Sequence, residues 1–350
     1  MNIAFIVPSL KQAGPVNVAF DLATLFTNNG HNVEVFYFDE LSTDIHSFPC
    51  RTTQLTKDSE IPFNQFDIIH THGQRPTAFA CKIKNKYPEV KFISTAHNYV
   101  FQDYIAKYGW IKGTLGGLLY LKYLKAHDCV IALSEDAKKY YSKWIDENKL
   151  TSIYNSRIID STIALPNATK QIISEFKGDG ILIGTNASLI KRKGLDILIN
   201  AFATLPESFK LIIAGNGPEL SRLINLCNKL NVYQRVKFLG FIPNAHLIIP
   251  YYDIFCLPSR SEGFPLGLLE AAYYGKPTVV SDLPTLLEAF STKEVLFFES
   301  GNSTELASRI MQANSEKSML GQNLFHAYQT RFSPHKFYTD HIKLYNSLLK

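Results

Sequence analysis

The sequence predicts an α/β protein built from two Rossmann-like domains that face each other across a deep cleft. Short apolar runs rich in β-branched residues alternate with helical patterns, a rhythm typical of parallel βαβ units. The rhythm runs through the first half of the chain and starts again at Gly180. The 350 residues also exceed what one hydrophobic core usually fills, so two domains are expected.

Ten predicted strands support this interpretation. In the first half they are residues 3–7, 33–38, 67–70, 91–94 and 129–133. In the second half they are residues 181–185, 209–214, 236–239, 254–257 and 278–281. Ligands of open α/β sheets bind beyond the carboxyl ends of the strands, so we expect the function to reside in the cleft.

The predicted domains are residues 1–165 and 166–332, followed by a helix over 333–350 that crosses back to the first domain. Residues 161–180 contain Pro166 and Gly178 without a clear period, and we predict them as the linker. The final helix is indicated by Ser333 and Pro334, which precede an amphipathic pattern.

Composition points to a globular protein of the cytoplasm. Hydrophobic residues make up 46% and charged residues 19%, and a net charge of +5 is too modest to indicate nucleic-acid binding. The five cysteines are scattered without a Cys-x-x-Cys pair, which predicts reduced thiols rather than disulfides or a metal site. The N-terminus lacks the features of a signal peptide, and no run approaches the roughly 20 apolar residues of a membrane span.

Residues 104–125 combine large apolar side chains with four lysines. This mixture favours peripheral contact with an anionic membrane surface, such as the inner face of the cytoplasmic membrane. An ordinary surface helix over the N-terminal core is the alternative. The glycines in this segment argue against one continuous amphipathic helix. They are Gly109, Gly113, Gly116 and Gly117.

The stretch 259–277 places Glu262 in a Gly/Pro-rich loop and Glu270 inside the helix that follows. Pro265 suits the first helical position, where its missing N–H needs no partner. The apolar stripe of the helix is predicted as Leu266, Leu269, Ala272 and Tyr273. Free amides at a helix N-terminus can hold an anion or sugar hydroxyls, so the stretch predicts a binding site.

Two further segments are candidates for phosphate binding. Gly215 and Gly217 follow a predicted strand, but Leu220 replaces the third glycine of a dinucleotide fingerprint, which disfavours NAD(P) and leaves a nucleotide or phosphate turn. The cations 191–193 follow another strand and suit a diphosphate through Lys charge and Arg fork geometry. A solvated loop is the alternative for them.

His70, His72 and His97 lie at or just past predicted strand ends. Their convergence on a metal ion is an alternative, although no acidic residue accompanies them. We favour a hydrogen-bonded core residue for His70 and a substrate-binding residue for His97, with no metal.

Taken together, these segments resemble glycosyltransferase family 4, the retaining GT-B transferases, over nearly the whole chain. The most specific part is Glu262-x7-Glu270 within 258–277, which is similar to the family signature PSxxEGFG…EAxAxGxP. Supporting segments are 67–73, 153–155, 193–194, 213–218 and 236–240.

The resemblance implies an acceptor-binding first domain and a donor-binding second domain. It implies that Glu270 holds the nucleotide ribose, and that Lys193 binds the donor diphosphate and stabilises the leaving group. It places His97 beside the reacting sugar and Gly14 in a loop facing the phosphates. The donor sugar is assigned to Glu262 with the backbone of Gly263, Phe264, Pro265 and Leu266, and the wider donor site includes Gly215 and Gly217.

The chain departs from the family pattern in three places. Ser188 stands where the family usually carries an arginine, and Arg192 is the candidate substitute. The N-terminal loop has the single Gly14 rather than a double glycine. At Asn155-Ser156 the usual glycine is absent.

The resulting hypothesis is a retaining glycosyltransferase that moves a hexose or N-acetylhexosamine from a UDP-sugar to a saccharide or lipid-linked saccharide. The expected context is cell-envelope polysaccharide synthesis, namely lipopolysaccharide, capsule or exopolysaccharide. No cofactor, metal or nucleic acid is expected. The alternatives are a GT-B phosphorylase, a sugar-nucleotide epimerase, and a non-catalytic subunit that binds nucleotide-sugars.

Overall fold

A computed structural model describes residues 1–40, 45–56, 61–160 and 162–350. The chain divides into two compact units. The first comprises Met1–Ile158 with Phe332–Lys350, and the second comprises Ile159–Arg331. The final helix therefore belongs to the first unit.

The first unit is built on a seven-stranded parallel sheet with the order β3-β2-β1-β4-β5-β6-β7. Its strands are β1 (Asn2–Ser9), β2 (Asn32–Asp39), β3 (Arg51–Gln54), β4 (Ile68–His72), β5 (Lys91–Ala96), β6 (Cys129–Ala132) and β7 (Leu150–Ser152). Its helices are α1 (Gly14–Asn28), α2 (Gln74–Ile83), α3 (Val100–Tyr108), α4 (Trp110–Lys125), α5 (Glu135–Tyr141) and the final helix α13 (Pro334–Leu348).

The second unit is built on a six-stranded parallel sheet with the order β10-β9-β8-β11-β12-β13. Its strands are β8 (Ile181–Asn186), β9 (Phe209–Ala214), β10 (Val236–Gly240), β11 (Ile254–Leu257), β12 (Thr278–Ser281) and β13 (Leu296–Phe298). Its helices are α6 (Asn167–Lys177), α7 (Leu195–Phe202), α8 (Leu220–Lys229), α9 (Leu266–Tyr273), α10 (Pro284–Ala289), α11 (Ser303–Ser315) and α12 (Lys317–Arg331).

The predicted α/β class with two Rossmann-like domains is confirmed, because both sheets have the strand order of a doubly wound Rossmann fold. All ten predicted strands are present, but β3, β7 and β13 were missed. These three strands end their sheets and span only three or four residues, so they are too short for a clear periodic signal.

The predicted linker over 161–180 was wrong. Most of it is α6, which belongs to the second unit, while Ser161 lies outside the described residues. Helix α6 is amphipathic but short, and it buries only Ile173 completely. Pro166 before it and Gly178 after it favoured a linker in the prediction, although both positions are compatible with the ends of a helix.

Residues 104–125 form the end of α3 and all of α4, with a break at Gly109, where φ is 78°. The other three glycines lie inside α4 and face α3 rather than interrupting the helix. A Cβ on Gly113 would lie 2.6 Å from backbone atoms of Ile105, and one on Gly117 would lie 2.8 Å from the ring of Phe101. None of the helices in the described ranges is both long enough and apolar enough to span a bilayer.

Candidate active site

The candidate site of the second unit lies where the loops after β8 and β11 meet. These strands are neighbours in the sheet although β9 and β10 separate them in sequence, so their carboxyl ends mark the topological switch point. The β8 loop ends in the 3-10 turn Lys191–Lys193, and the β11 loop leads into α9. The strand order therefore brings the predicted cations to the predicted loop glutamate.

Glu262 is the centre of an ion-pair cluster. Its Oε1 accepts hydrogen bonds from Lys193 Nζ at 2.5 Å and from Ser259 Oγ at 2.6 Å. Its Oε2 accepts from Arg192 Nη1 at 3.1 Å, and the same nitrogen donates to the carbonyl of Ser261 at 2.7 Å. Two cations thus converge on one carboxylate.

The cluster is largely withdrawn from solvent. Glu262 is 5% exposed, and the side chains of Lys193 and Arg192 are 18% and 19% exposed. Burial by itself raises the pKa of the Glu262 carboxyl, but the adjacent Lys193 and Arg192 outweigh burial and hold that pKa below its ordinary value. The carboxylate is therefore ionised at neutral pH, and the net positive charge of the cluster favours an anionic ligand.

A second ion pair ties the two loops together. The guanidinium of Arg260 donates to both oxygens of Asp196, at 2.8 and 2.9 Å, and to the carbonyl of Lys191 at 2.8 Å. Gly194 ends the 3-10 turn with a φ of 63°, and a Cβ there would lie 1.9 Å from the carbonyl oxygen of Pro258. Only glycine fits so close to the β11 loop, and this contact sets the position of the cations.

Gly215 and Gly217 lie in the loop after β9 and pack against the loop after β8. A Cβ on Gly215 would lie 1.9 Å from the carbonyl oxygen of Ala187, and one on Gly217 would lie 2.4 Å from that of Leu189. Both glycines therefore allow two backbone segments to pack in contact. This packing role differs from the predicted one, which was contact with a bound ligand. Ser188, between the two contact points, is exposed.

The loop before α9 is packed into the second unit. Phe264 is buried, and its ring stacks on Phe290 with the centroids 6.2 Å apart. The carbonyl of Gly263 accepts a hydrogen bond from the buried hydroxyl of Thr285 at 2.9 Å. The side chain of Phe264 therefore has a structural role. A ligand at this loop would be contacted by the backbone rather than by this ring.

Helix α9 differs in detail from its prediction. Pro265 is the N-cap rather than the first helical residue, because its ψ of 120° is extended. No described side chain caps the helix. The amide of Leu268 donates to the carbonyl of Pro265 at 3.2 Å, while those of Leu266 and Gly267 lie at the helix start, before any intrahelical partner. Glu270 is half-buried on the same helix. The fully buried positions are Leu268, Leu269, Ala271 and Ala272, because α9 packs against both β11 and α12.

The predicted residues of the first unit lie at the carboxyl ends of its strands. Gly14 is the exposed first residue of α1, and a Cβ there would meet no atom within 4 Å. His97 follows β5 and is half-buried, with its Nε2 3.0 Å from Nδ1 of His72. Burial lowers the pKa of His97 to about 3, so its imidazole is neutral at pH 7.

His70 is a core residue with both ring nitrogens paired. Its Nδ1 lies 2.7 Å from the hydroxyl of Tyr345 on α13, and its Nε2 lies 2.7 Å from that of Thr95 on β5. Strand β4 continues to His72, so the two histidine rings lie on one face, with their centroids 4.5 Å apart and their planes tilted by 36°. Within the described residues, no group of three or more His, Cys, Asp or Glu side chains is arranged to hold a metal ion.

Sequence reasoning assigned no role to the residues that support the cluster, namely Gly194, Asp196, Ser259 and Arg260. Ser259 and Arg260 stand within the signature motif and could have been flagged as polar neighbours of Glu262. No local signal joins Asp196 to Arg260, because 64 residues separate them in the chain.

Comparisons with known proteins cover both units. Residues 167–324 match the family model Glycosyl transferases group 1, and residues 13–157 match the model Glycosyltransferase Family 4. Over 362 aligned positions, the chain is 36% identical to the O-antigen biosynthesis glycosyltransferase WclY of Escherichia coli. That alignment covers 100% of this chain and 99% of the relative.

Solved structures share the fold at lower identity. HepE from Anabaena in complex with UDP has a TM-score of 0.83 at 18% identity, and the match covers 99% of this chain and 100% of HepE. The UDP-glucose complex of HepE has the same TM-score, identity and coverage. Sucrose-phosphate synthase from Thermosynechococcus elongatus has a TM-score of 0.83 at 19% identity, with 99% of each chain covered. The architecture is that of the two-domain GT-B fold.

Proposed function

The chain belongs to glycosyltransferase family 4, and we propose that it is a retaining enzyme that moves a hexose or N-acetylhexosamine from a UDP-sugar to a saccharide acceptor. Full-length similarity to a relative named for O-antigen biosynthesis supports a role in cell-envelope polysaccharide synthesis. The fold shared with HepE, solved with UDP and with UDP-glucose, supports UDP as the nucleotide.

The observation that carries the proposal is the pairing of Lys193 and Arg192 with Glu262 at the switch point of the second sheet. When the bond from sugar to diphosphate breaks, negative charge develops on the departing phosphate. Cations already fixed in place stabilise that charge without reorganising during the reaction. We assign this task to Lys193, with Arg192 replacing the arginine that is absent at position 188.

The remaining donor contacts follow from α9 and its loop. Glu262 keeps the two cations in position and, with the backbone of residues 263–266, binds the transferred sugar. Glu270, further along α9, binds the ribose. In the first unit, His97 contacts the reacting sugar as a neutral imidazole, and the loop at Gly14 binds the phosphates.

The first experiment identifies the donor. Thermal unfolding is measured with UDP-glucose, UDP-galactose and UDP-N-acetylglucosamine, and with GDP-mannose and ADP-glucose for comparison. A ligand present at 100 times its Kd stabilises the native state by about 2.7 kcal/mol, so a UDP-sugar should raise the Tm and the other donors should not. Stabilisation by GDP-mannose alone would contradict the assignment of UDP.

The second experiment tests the residues and the stereochemistry. K193A is expected to lower kcat by about 10²- to 10³-fold, as for loss of one preorganised charge-stabilising group. K229A removes an exposed lysine at the end of α8 and should leave kcat unchanged. NMR of the product should show the anomeric configuration of the donor. Folded K193A with the wild-type rate, or an inverted product, would refute the proposal.

The same reaction mixtures separate the alternatives. Sugar 1-phosphate formed only with inorganic phosphate would identify a phosphorylase. An epimerised donor formed without acceptor would identify an epimerase. Tight binding without any turnover of donor would identify a non-catalytic subunit. Each of these outcomes replaces the transferase proposal.

We further propose that the acceptor is lipid-linked and that α4 places the first unit on an anionic membrane surface. Five large apolar side chains of α4 are 44% to 73% exposed. They are Trp110, Ile111, Leu115, Leu118 and Leu119. Glycines form the face of α4 that packs against α3, and Tyr120, Leu121 and Leu124 are buried, whereas these five bulky side chains point outward. The apolar face of a surface helix normally points toward the core, so this one is available to a partner.

The charges on this surface favour anionic lipid over a second copy of the chain. Residues 107–125 contain four lysines and no acidic residue. A symmetric dimer through α4 would bring these lysines against one another, whereas an anionic bilayer attracts each of them. Lysines around an exposed apolar helix face are typical of helices that lie in the membrane interface.

Vesicle co-sedimentation tests this surface. Changing Lys112, Lys122 and Lys125 to Gln should weaken binding to anionic vesicles about 100-fold, because each lysine near such a surface contributes about 1 kcal/mol. Changing Leu115 and Leu118 to Ser should abolish binding, while the control M319S, at a residue 52% exposed on the second unit, should not alter it. Equal binding of the wild type to neutral and anionic vesicles would overturn the proposal.

A further inference from the structure

The hydrogen bond between His72 and His97 joins two imidazoles at the carboxyl edge of the first sheet. His72 is the last residue of β4, and His97 follows the end of β5, the neighbouring strand. Nδ1 of His72 lies 3.0 Å from Nε2 of His97. His72 is fully buried, whereas His97 is half-buried.

Only one of the two nitrogens that form this hydrogen bond carries a proton. Burial lowers the pKa of both imidazoles, so each is neutral at pH 7 and carries a single N–H. Either His72 donates from Nδ1, or His97 donates from Nε2. The choice decides which nitrogen of His97 carries a proton toward the rest of the site.

The environment of His72 selects the first arrangement. Its Nε2 is buried and has no hydrogen-bond partner among the residues that the structure describes. If His97 donated, the proton of His72 would have to sit on this Nε2 and would be an orphaned buried donor. Such orphaned N–H groups are rarer in proteins than unpaired acceptors. With the proton on Nδ1, only an acceptor lone pair of His72 stays unpaired.

We infer that His72 is a positioning residue that holds His97 in its Nδ1–H tautomer and orients its ring. This inference rests on the proposed function in one respect, the contact of His97 with the reacting sugar. His97 then offers the sugar a hydrogen-bond donor, suited to a hydroxyl or ring oxygen with a free lone pair. The opposite tautomer would offer an acceptor.

The ring of His72 is itself held in place. It packs against the tilted ring of His70, with the centroids 4.5 Å apart, and its centroid lies 6.0 Å from that of the Phe5 ring. His70 is anchored by the hydroxyls of Thr95 and Tyr345. A chain of contacts therefore runs from α13 to His97, and His72 is its final link.

Imidazole ¹⁵N NMR of the full-length wild-type protein gives a test that needs no substrate. The expected result is a protonated Nδ1 and an unprotonated Nε2 for His97. In H72F this preference should be lost. In H72N it should be kept, because the asparagine amide nitrogen occupies nearly the position of Nδ1. A protonated Nε2 on His97 in the wild type overturns the inference, whatever the protein's activity.

Kinetics provide the second test. H72F should lower kcat about 10- to 100-fold, by analogy with loss of the hydrogen-bond partner of a metal-ligating histidine, with KM for the UDP-sugar little changed. H72N should restore most of the rate. H127F, which alters another buried histidine of the first unit with an unpaired Nε2, should stay near the wild-type rate. A wild-type kcat in folded H72F overturns the positioning role.

The design separates this inference from the proposed function. If H97A transfers sugar at the wild-type rate, the assigned role of His97 fails while the tautomer result stands by itself. If H72F does not fold, the wild-type NMR spectrum and H72N still decide the outcome.

Discussion

The two units have the same strand order but treat the ionisable groups at their strand ends in opposite ways. The first unit buries neutral imidazoles at this edge, at His70 and His72. The second unit buries a charged cluster in which Glu262 stays ionised against Lys193 and Arg192. In both units the candidate residues follow neighbouring parallel strands, so the fold determines where a site forms but not its charge.

The difference suits two different tasks. A leaving diphosphate needs fixed positive charge, which the second unit supplies. Burying the ion-pair cluster that holds this charge has a desolvation cost. A neutral sugar hydroxyl needs a hydrogen bond of fixed direction, which neutral histidines supply. The comparison also predicts that the two units respond differently to acid and to loss of a buried partner.

The largest expected effect is selective loss of stability of the first unit in mild acid. Burial lowers the pKa of His46, His127 and His341 to about 4. Below the unfolded value of 6.5 the unfolded chain binds protons that the folded unit cannot, so stability falls as pH falls. At pH 5 each of these histidines costs about 2 kcal/mol relative to neutral pH.

The second unit should resist acid over that range. The pKa of Glu262 is lowered, so its contribution is present above about 4.5 and is lost only at lower pH. Hydrogen exchange on the full chain, corrected for intrinsic rates, should show faster exchange in the first unit between pH 6.5 and 5. Both tryptophans, Trp110 and Trp144, belong to the first unit, so fluorescence follows it as well. An equal loss of stability in both units between pH 6.5 and 5 would contradict the proposed difference between them.

The next largest effect is expected from removing the buried carboxylate of the second unit. E262A leaves two cations without their partner and should lower the free energy of unfolding by about 3 to 5 kcal/mol. Urea unfolding followed by hydrogen exchange would measure it. The control is E207A, because the Glu207 side chain is 89% exposed and its pair with Arg235 should contribute little. A loss below about 1 kcal/mol in E262A would show that the cluster is not structural.

A smaller effect is expected at glycines through which helices or loops approach closely in each unit. A Cβ at Gly113 would lie 2.6 Å from the backbone of Ile105, and one at Gly321 would lie 2.1 Å from the carbonyl oxygen of Gly275. G113A and G321A should each cost about 1 to 3 kcal/mol through overpacking. In G267A the new Cβ meets the Phe255 ring at an ordinary 3.5 Å, so stability should hold or rise. Unchanged Tm values in the first two variants would contradict this packing.

The smallest effect is expected on the outer face of α4. L115A and L118A should change the free energy of unfolding by less than about 0.5 kcal/mol, because both side chains are largely exposed. L269A on α9, at a fully buried position, should cost about 2 to 5 kcal/mol by the same measurement. A large loss in L115A would mean that α4 packs against part of the protein through this face.

Several features could be predicted from the sequence because their signals are local. Apolar runs located ten strands, and the motif around Glu262 and Glu270 identified the family, which the comparisons confirm. The predicted linker was wrong because Pro166 and Gly178, which flank the short helix α6, were interpreted as loop residues rather than as helix ends. The glycines of residues 104–125 argued against one continuous helix, and the chain does break at Gly109. The other three form a packing face of α4, which could not be predicted because its partner lies on another helix.

By itself the sequence determined the order of the βαβ units, the family and the positions of the candidate residues along the chain. Only the tertiary structure decided which of those residues meet. Glu262 pairs with Lys193 across 69 residues, and His72 meets His97 across 25. The physical reason is that side-chain periodicity reports local burial, whereas these contacts depend on strands that become neighbours in the sheet only when the chain folds.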